Sequence, residues 1–315
     1  MNNLYVTSAN SLITTPESRR SGFLDYALRR NKESILFIDK AKALKSILQA
    51  HSSQPQDILN IVKIRESLLE AAGISVKAKA HLSDLDKHRL LAEFVDKFLS
   101  PCGKDYVDEI IYRYLLTSGD ALGGKMRNII GSIANEKLNR FVISQLQVCS
   151  INFSFATKIS DFVDGENYTV AIAESIKAIR WQTNNNDQRL LIYNVNVPQV
   201  SKNIDIVLLN KFSEDTKGAK LKVVLNDANN YLVIGELKGG IDPAGADEHW
   251  KTANTALSRV RSVFSELPLI FIGAAIEAAM SIEIFDQYQG GNLANCANLT
   301  NDDQLSTLCE WLISL

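Results

Sequence analysis

The spacing of apolar residues changes once along this chain of 315 residues, and that change constrains the fold more than any other feature. Over residues 8–147 apolar side chains recur at intervals of three and four, the period of a helix that buries one face. From Val148 onward they occur instead in short runs of strand-forming residues. The sequence therefore predicts a mostly helical domain over residues 1–147 and a second, sheet-containing domain over residues 148–315.

Glycine and proline residues divide the first part, because they favour chain reversals over helix interiors. They predict helices over residues 17–30, 33–51, 56–72, 83–99, 104–118 and 125–147. In the second part we expect strands over 151–156, 176–182, 190–194, 204–209, 231–238 and 269–274, and helices over 246–264, 278–288 and 302–315. A strand, a helix and a further strand in succession indicate a mixed β-sheet flanked by helices, an α/β or α+β fold.

The net charge of −2 at pH 7 by itself gives no sign of a polyanionic partner. The two parts differ, however. Residues 1–147 hold 21 Lys and Arg against 16 Asp and Glu, a net of +5, and residues 148–315 hold 13 against 20, a net of −7. Such asymmetry indicates a part that faces a polyanion joined to an acidic part. Uneven decoration of an ordinary surface explains it equally well.

The cysteines favour a reducing compartment. They are widely spaced and form no Cys-x-x-Cys pair, so we expect free thiols and no structural zinc. The N-terminus shows no basic stretch followed by an apolar one, and no window approaches the ~18 apolar residues of a membrane span. A cytoplasmic protein outside the membrane is therefore expected. The four cysteines are Cys102, Cys149, Cys296 and Cys309.

Two predicted strands carry charged side chains. Glu236 and Lys238 stand two residues apart at the end of the strand over 231–238, so both project from one face. Asp205 lies within the apolar strand over 204–209. Buried charges are costly without partners. If the strands are neighbours, Asp205 and Glu236 can hold a divalent cation, by default Mg²⁺, beside Lys238. This set suits phosphodiester hydrolysis.

A structural ion pair is the alternative to a catalytic site. An acidic residue two positions before a lysine occurs about once by chance at this length, and Asp215-Thr-Lys217 in a polar segment is such an occurrence. The buried strand that precedes Glu236 favours catalysis. So does the Gly239-Gly240 pair after it, which we expect to free the backbone to approach a ligand.

His249 is a further candidate. A helix predicted to begin near Ala246 places this histidine in its first turn, close to the positive end of the helix. We expect His249 to handle a proton at the metal site. Its alternative role is that of a histidine satisfied by ordinary hydrogen bonds.

The arrangement Asp205…Glu236-x-Lys238 resembles the PD-(D/E)xK nuclease core, although Ile204 stands where the wider superfamily has proline. The segment from Gly235 to Trp250 resembles the AvaI/BsoBI family of type II restriction endonucleases, including the eleven-residue interval from the lysine to the histidine. The resemblance implies bacterial, cytoplasmic homodimers that enclose double-stranded DNA with their helical domains. It also implies Mg²⁺-dependent cleavage at CYCGRG, and a cognate methyltransferase in the same system that is not a binding partner.

The resemblance also implies roles for individual residues. Asp205, Glu236 and Lys238 would be the catalytic acidic pair and lysine. Mg²⁺ would be held by the two carboxylates and the Leu237 carbonyl. His249 would correspond to an active-site histidine, a candidate general base.

Several charged residues are predicted to contact DNA. By the resemblance, Lys202 and Asp242 match positions of base contacts, and a donor and an acceptor suit purine N7 and cytosine N4. Lys125 and Arg127 follow two glycines at a predicted helix start, a favourable place for phosphate. Capping and solvation are the alternative for that pair.

The helical part offers one more predicted contact, Lys77 and Lys79 in a flexible basic loop after Gly73. The leading hypothesis for the whole chain is a sequence-specific DNA endonuclease. Two alternatives remain open from the residues: a DNA-repair nuclease or exonuclease built on the same core, and a non-catalytic DNA- or protein-binding module in which Glu236 and Lys238 form a structural ion pair.

Overall fold

A computed structural model describes residues 3–159, 161–212 and 219–315. It divides into a helical unit, Asp25–Asn128, and a sheet unit made of Met1–Leu24 and Ile129–Leu315. The predicted boundary near residue 148 differs from this division. Residues 129–147 belong with the sheet, because side chains such as Leu138 and Leu146 are fully buried in the core on one of its faces. The Asp215-Thr-Lys217 triplet lies outside the described residues.

The first part of the chain is helical as predicted, but the breaks differ, and the predicted helix over residues 56–72 is α-helical only over Arg65–Ala71. Its α-helices are α1 (Pro16–His51), α2 (Arg65–Ala71), α3 (Val76–Lys79), α4 (Asp84–Phe94) and α5 (Tyr106–Val148). Residues 55–60, 62–64 and 100–105 form 3₁₀ turns, and 95–99 a π-helical turn. Ser83 caps α4, with its hydroxyl accepting from the Asp86 N–H. Within the helical unit, helices and turns pack around a core that includes Leu48, Leu68 and Ile110.

The glycines act in two different ways. Gly73 and Gly103 have φ values of +90° and +55°, so they supply the left-handed backbone at which the predicted breaks occur. The predicted break at Gly123-Gly124 is wrong, because α5 runs through both residues. A glycine inside a helix costs only about 1 kcal/mol relative to alanine, and the buried side chain of Met126, two residues after the pair, favours a continuous helix. The predicted break between residues 30 and 33 is wrong as well, since α1 is continuous there.

The strands of the described residues form one sheet and are β1 (Phe153–Ala156), β2 (Phe162–Asp164), β3 (Ala178–Gln182), β4 (Gln188–Val197), β5 (Lys202–Leu209), β6 (Tyr231–Lys238), β7 (Leu269–Gly273) and β8 (Asn295–Asn298). Their order in the sheet is β2-β1-β3-β4-β5-β6-β7-β8. Pairing is antiparallel from β2 to β6 and parallel from β6 to β8. The predicted mixed sheet flanked by helices is thus confirmed.

Helices α6 (Ala219–Asn226), α7 (Pro243–Val263), α8 (Ala278–Gln289) and α9 (Asp302–Ser314) complete the sheet unit. The parallel strands are joined through helices, α7 between β6 and β7 and α8 between β7 and β8, as the predicted crossover requires. The sequence did not predict α6 or the short strands β2 and β8. Strands of three or four residues carry too few side chains to show an alternating pattern.

Each face of the sheet has its own core. On one face lie Trp250 and Leu257 of α7 with Ile284 of α8, and on the other Leu138 of α5 with Leu308 of α9. Strand β6 is therefore covered on both sides. In the described part of the chain, no helix combines the length and apolarity that crossing a membrane requires. All four cysteines are free thiols, of which Cys296 and Cys309 are buried and Cys149 is exposed.

Candidate active site

The register of β5 and β6 brings the predicted acidic pair together. Ile206 lies opposite Gly235 in this antiparallel pair, so one further step along the ladder sets Asp205 opposite Glu236. Directly opposed residues project from the same face, and Lys238, two residues further along β6, shares that face. The three side chains converge because their strands are hydrogen-bonded neighbours. The sequence analysis had to assume that β5 and β6 are adjacent.

Lys238 joins the two carboxylates. Its Nζ atom donates to Asp205 Oδ2 at 2.7 Å and to Glu236 Oε2 at 2.6 Å. The backbone N–H of Leu237 also donates to Asp205 Oδ2, at 3.0 Å. A single ammonium group thus stands between two carboxylates at the end of a buried strand.

Burial controls the electrostatics of this cluster. Glu236 is 3% exposed, and this burial, with the nearby Asp205 charge, raises the pKa of Glu236 from its ordinary 4.5 to about 7, against the opposing effect of Lys238. Burial alone would lower the pKa of Lys238, but the Asp205 and Glu236 carboxylates outweigh it and raise that pKa above its usual value. The site therefore keeps Lys238 positively charged. Glu236 binds a proton more tightly in this site than a glutamate side chain does in water.

Phe271 and Trp250 lie beside this part of β6, and the sequence did not single them out. Phe271 is paired with Glu236 across the parallel β6–β7 ladder, and the Trp250 ring meets it edge-on at a centroid distance of 4.9 Å. The Trp250 Nε1–H donates to Glu283 Oε2 of α8 at 2.7 Å. In the sequence, the feature that could have indicated this packing was Trp250, the last residue of the segment that resembles the family.

The side chains fit a divalent cation in their chemistry. Glu236 Oε1 is buried and has no hydrogen-bond partner within the described residues. A buried carboxylate oxygen without a partner destabilises the fold unless a ligand binds it. Carboxylate oxygens are the ligands that Mg²⁺ prefers. The N–H and C=O of one strand residue lie on the same edge, so the Leu237 carbonyl faces β5, as its N–H does. Where the chain is described, no group of three or more His, Cys, Asp or Glu side chains could hold a metal.

His249 lies further into its helix than predicted. Helix α7 begins at Pro243, because Asp242 caps it and proline suits the first helical position. His249 is consequently in the second turn, and it is exposed. The Nε2–Cδ2 edge of its imidazole lies against Gly240 and Gly245.

The glycine pair after Lys238 serves close packing rather than backbone freedom. Within the described residues, the glycines with positive φ are Gly73, Gly103 and Gly291, so Gly239 and Gly240 use no left-handed conformation. A Cβ atom on Gly239 would lie 2.7 Å from Ala134 Cβ and 2.7 Å from the Ile130 carbonyl oxygen of α5. Neither glycine is therefore required for a left-handed backbone, and the expectation that the pair lets the backbone approach a ligand stays a prediction.

The two predicted base-contacting residues flank this cluster along the chain. Lys202 is the first residue of β5 and lines a groove of about 470 Å³ together with Asp247, Glu248 and Lys251 of α7. Asp242 is exposed, and its Oδ1 accepts a hydrogen bond from the Ala244 N–H at 2.9 Å. One of its carboxylate oxygens therefore has a structural task in capping α7.

Lys125 and Arg127 do not lie at the start of a helix, contrary to the prediction from the sequence. Both lie in the interior of α5, so the argument from a helix N-terminus does not apply to them. Lys125 Nζ pairs with Glu33 Oε2 at 2.7 Å, with 42% of the Lys125 side chain exposed. Arg127 is exposed.

Lys77 and Lys79 lie in α3, a single helical turn capped by Ser75, and not in the flexible loop that was predicted. Lys79 Nζ pairs with Glu66 Oε2 at 2.9 Å and with Glu70 Oε1 at 3.0 Å, and its side chain is 11% exposed. Lys79 is thus committed to a structural pair of carboxylates. Lys77 is exposed.

Two carboxylates and a lysine at one end of neighbouring strands in a mixed sheet are typical of a class of proteins, the nucleases that hydrolyse phosphodiesters. The model of the restriction endonuclease BsobI family matches residues 2–315, and the chain belongs to this family. The resemblance noted in the sequence is confirmed. As a member, the chain is classed as a type II site-specific deoxyribonuclease, in a family of DNA-binding enzymes that generally depend on divalent metal.

Named relatives agree with the family over nearly the whole chain. The type II restriction enzyme BsoBI of Geobacillus stearothermophilus is 45% identical over 319 residues, which covers 99% of this chain and 97% of the relative. The type II restriction enzymes AvaI of a Nostoc strain and of Anabaena variabilis are each 41% identical over 316 residues, with 99% of this chain and 98% of the relative covered.

Proposed function

We propose that this chain is a homodimeric, Mg²⁺-dependent restriction endonuclease that cleaves double-stranded DNA at the degenerate palindrome CYCGRG. The cluster of Asp205, Glu236 and Lys238 carries the proposal, above all the buried Glu236 Oε1, which has no hydrogen-bond partner among the residues that the structure describes. Family membership supports the reaction class. The target sequence, the metal and the dimer come from the family resemblance.

In this proposal Asp205 and Glu236 hold Mg²⁺ through their carboxylate oxygens, with the Leu237 carbonyl as a third ligand. A bound Mg²⁺ ion supplies Lewis-acid polarisation of a phosphate oxygen and lowers the pKa of water. Glu236 must be ionised for this task. Its pKa of about 7 places the change of charge close to neutral pH.

Lys238 and His249 complete the chemistry of the chain. The ammonium of Lys238, held by two carboxylates, orients the attacking water or offsets the negative charge that develops on phosphorus. His249 is proposed to accept the proton of that water as a general base. Its exposed position leaves the imidazole open to substrate and solvent.

Lys202 and Asp242 are proposed to read bases. Lys202 would donate a hydrogen bond to a purine, and Asp242 would accept one from cytosine. Asp242 keeps one oxygen for this purpose while the other caps α7. A palindromic target calls for two-fold symmetry, so each subunit would cut one strand. Exposed Arg127 and Lys77 remain candidates for phosphate contacts, and Lys125 with its Glu33 partner is a weaker one.

Digestion of defined plasmids tests the proposal. Three plasmids, each with a single CTCGAG, CCCGGG or CTCGGG site (the last reads CCCGAG on the other strand), are incubated with protein and Mg²⁺, beside a plasmid that lacks CYCGRG. One linear product from each of the first three and none from the last is expected. Intact DNA throughout would refute the proposed activity, and cuts mapped to another sequence would refute the proposed target.

Matched variants test the site. Glu236→Gln is expected to abolish cleavage while DNA binding persists, because it removes a ligand charge at nearly constant shape. Glu310→Gln, an exposed change on α9, is the control and should cleave normally. Unaltered cleavage by Glu236→Gln would remove Glu236 from the active site.

The same assays separate the alternatives. Degradation that begins only at the ends of linear DNA, with circular plasmid left intact, would favour an exonuclease. Failure of Mg²⁺ and Ca²⁺ to bind in calorimetry, with no difference between the native protein and Asp205→Asn, would favour a non-catalytic module with a structural ion pair.

A further inference from the structure

The Nε2–Cδ2 edge of the His249 imidazole lies against two glycines, Gly240 and Gly245. A Cβ atom on Gly240 would lie 3.1 Å from His249 Nε2 and 3.5 Å from its Cδ2. A Cβ atom on Gly245 would lie 3.3 Å and 3.6 Å from the same two atoms. Contacts of 3.1 and 3.3 Å are shorter than ordinary van der Waals contact, so the imidazole occupies space that any other residue at these positions would claim.

The two glycines approach the ring from different parts of the chain. Gly245 lies four residues before His249 in α7, one helical turn away on the same helix face. Gly240 lies in the segment that links Lys238 of β6 to α7. The ring is thus placed relative to its own helix by Gly245 and relative to the strand that carries Glu236 and Lys238 by Gly240.

Neither glycine is explained by backbone conformation, since neither has positive φ. Gly245 sits in a helix, where alanine is the more favourable residue. Among the described residues, and apart from its chain neighbours and the backbone of its own helix, the atoms within 4 Å of the missing Cβ of Gly245 belong to His249, which points to packing against the imidazole as the reason for glycine here.

We propose that Gly240 and Gly245 are positioning residues that set the place of the His249 imidazole. They direct its Nε2–Cδ2 edge inward against the two glycines and leave the Nδ1–Cε1 edge on the opposite side. The inference rests on the proposed function only where it assigns catalytic consequence to the ring. The placement itself is a property of the folded chain.

Replacing Gly240 or Gly245 with alanine tests the placement of the His249 ring separately from the stability of the fold. Because His249 is exposed, its ring can move by the few tenths of an ångström that a methyl group demands, so the fold is expected to survive. Gly245→Ala should leave the melting temperature unchanged or raise it, since alanine favours the helix. Gly131→Ala is the matched control, a helical glycine of α5 with nothing within 4 Å of its missing Cβ.

The direct readout is the NMR signal of the His249 ring, one of four histidines, assigned by its loss in His249→Asn. Its Cε1–H shift and its titration curve are expected to change in Gly240→Ala and Gly245→Ala, and most in the double variant. Gly131→Ala should leave both as they are in the native protein. Identical His249 signals and titration curves in all of these variants would overturn the proposal.

Cleavage kinetics give the second readout. Gly245→Ala is expected to lower kcat about tenfold with little change in KM, because small displacements of a catalytic group are costly, and to alter the pH profile of kcat. If His249→Asn cleaves as fast as the native protein, the general-base role fails while the NMR result still decides the placement. If the ring moves and cleavage is unaffected, only the catalytic consequence is refuted.

Discussion

Replacing Glu236 with glutamine is expected to stabilise the metal-free protein at pH 8. The native carboxylate is 3% exposed, and its pKa of about 7 in the fold exceeds the ordinary 4.5. Each tenfold change in proton affinity corresponds to about 1.4 kcal/mol, so ionised Glu236 lowers the free energy of unfolding by about 3 kcal/mol. Glutamine resembles the protonated acid and removes this cost.

The sign of the pH dependence follows from the raised pKa. Stability associated with neutral Glu236 is fully present below pH 4.5 and is lost as the pH rises through about 7. The native protein and the variant should therefore differ by about 3 kcal/mol at pH 8 and by roughly half as much at pH 5.5. The variant itself should show none of this dependence.

Chemical denaturation in EDTA at both pH values measures the difference, with Glu310→Gln as a control expected to stay within about 0.5 kcal/mol of the native protein. Saturating Mg²⁺ should stabilise the native protein and leave Glu236→Gln unchanged, because only the native site has both carboxylates. Equal or lower stability of Glu236→Gln at pH 8, or a difference that is the same at pH 5.5, would refute the electrostatic reasoning.

Three further predictions concern other parts of the molecule. Because Glu236 must lose its proton to bind a cation, calorimetry should show Ca²⁺ affinity about tenfold weaker at pH 6 than at pH 8, and an affinity independent of pH would contradict this. Gly124→Ala should raise the free energy of unfolding by up to about 1 kcal/mol, since α5 is continuous there; a lower melting temperature would show that the helix needs this glycine. Lys79→Met should cost about 1–3 kcal/mol in denaturation because it leaves two carboxylates unpaired, whereas Lys77→Ala should stay within about 0.5 kcal/mol and lower DNA affinity at low salt. Equal stability of the two lysine variants would argue against the Lys79 pairing.

The residues themselves indicated the chemistry that is proposed for this protein. Buried strand formers ending in Glu236 and Lys238, with Asp205 in a second apolar run, indicated an acidic pair and a lysine, because such charges are not placed beside a core without partners. The change of apolar period near residue 148 predicted helices followed by a mixed sheet, because helix and strand faces have different periods. The segment around Lys238 was distinctive enough to indicate the family.

Tertiary contacts decided what local pattern could not express. The register between β5 and β6 sets Asp205 against Glu236, and ladder pairing is a long-range choice. Packing decided that residues 129–147 belong with the sheet, and it joined two predicted helices into one because buried contacts outweigh the small cost of a glycine. The role proposed for Gly240 depends on the His249 imidazole, which occupies the space that a side chain at position 240 would fill. The sequence does not show that these two residues are neighbours in the fold.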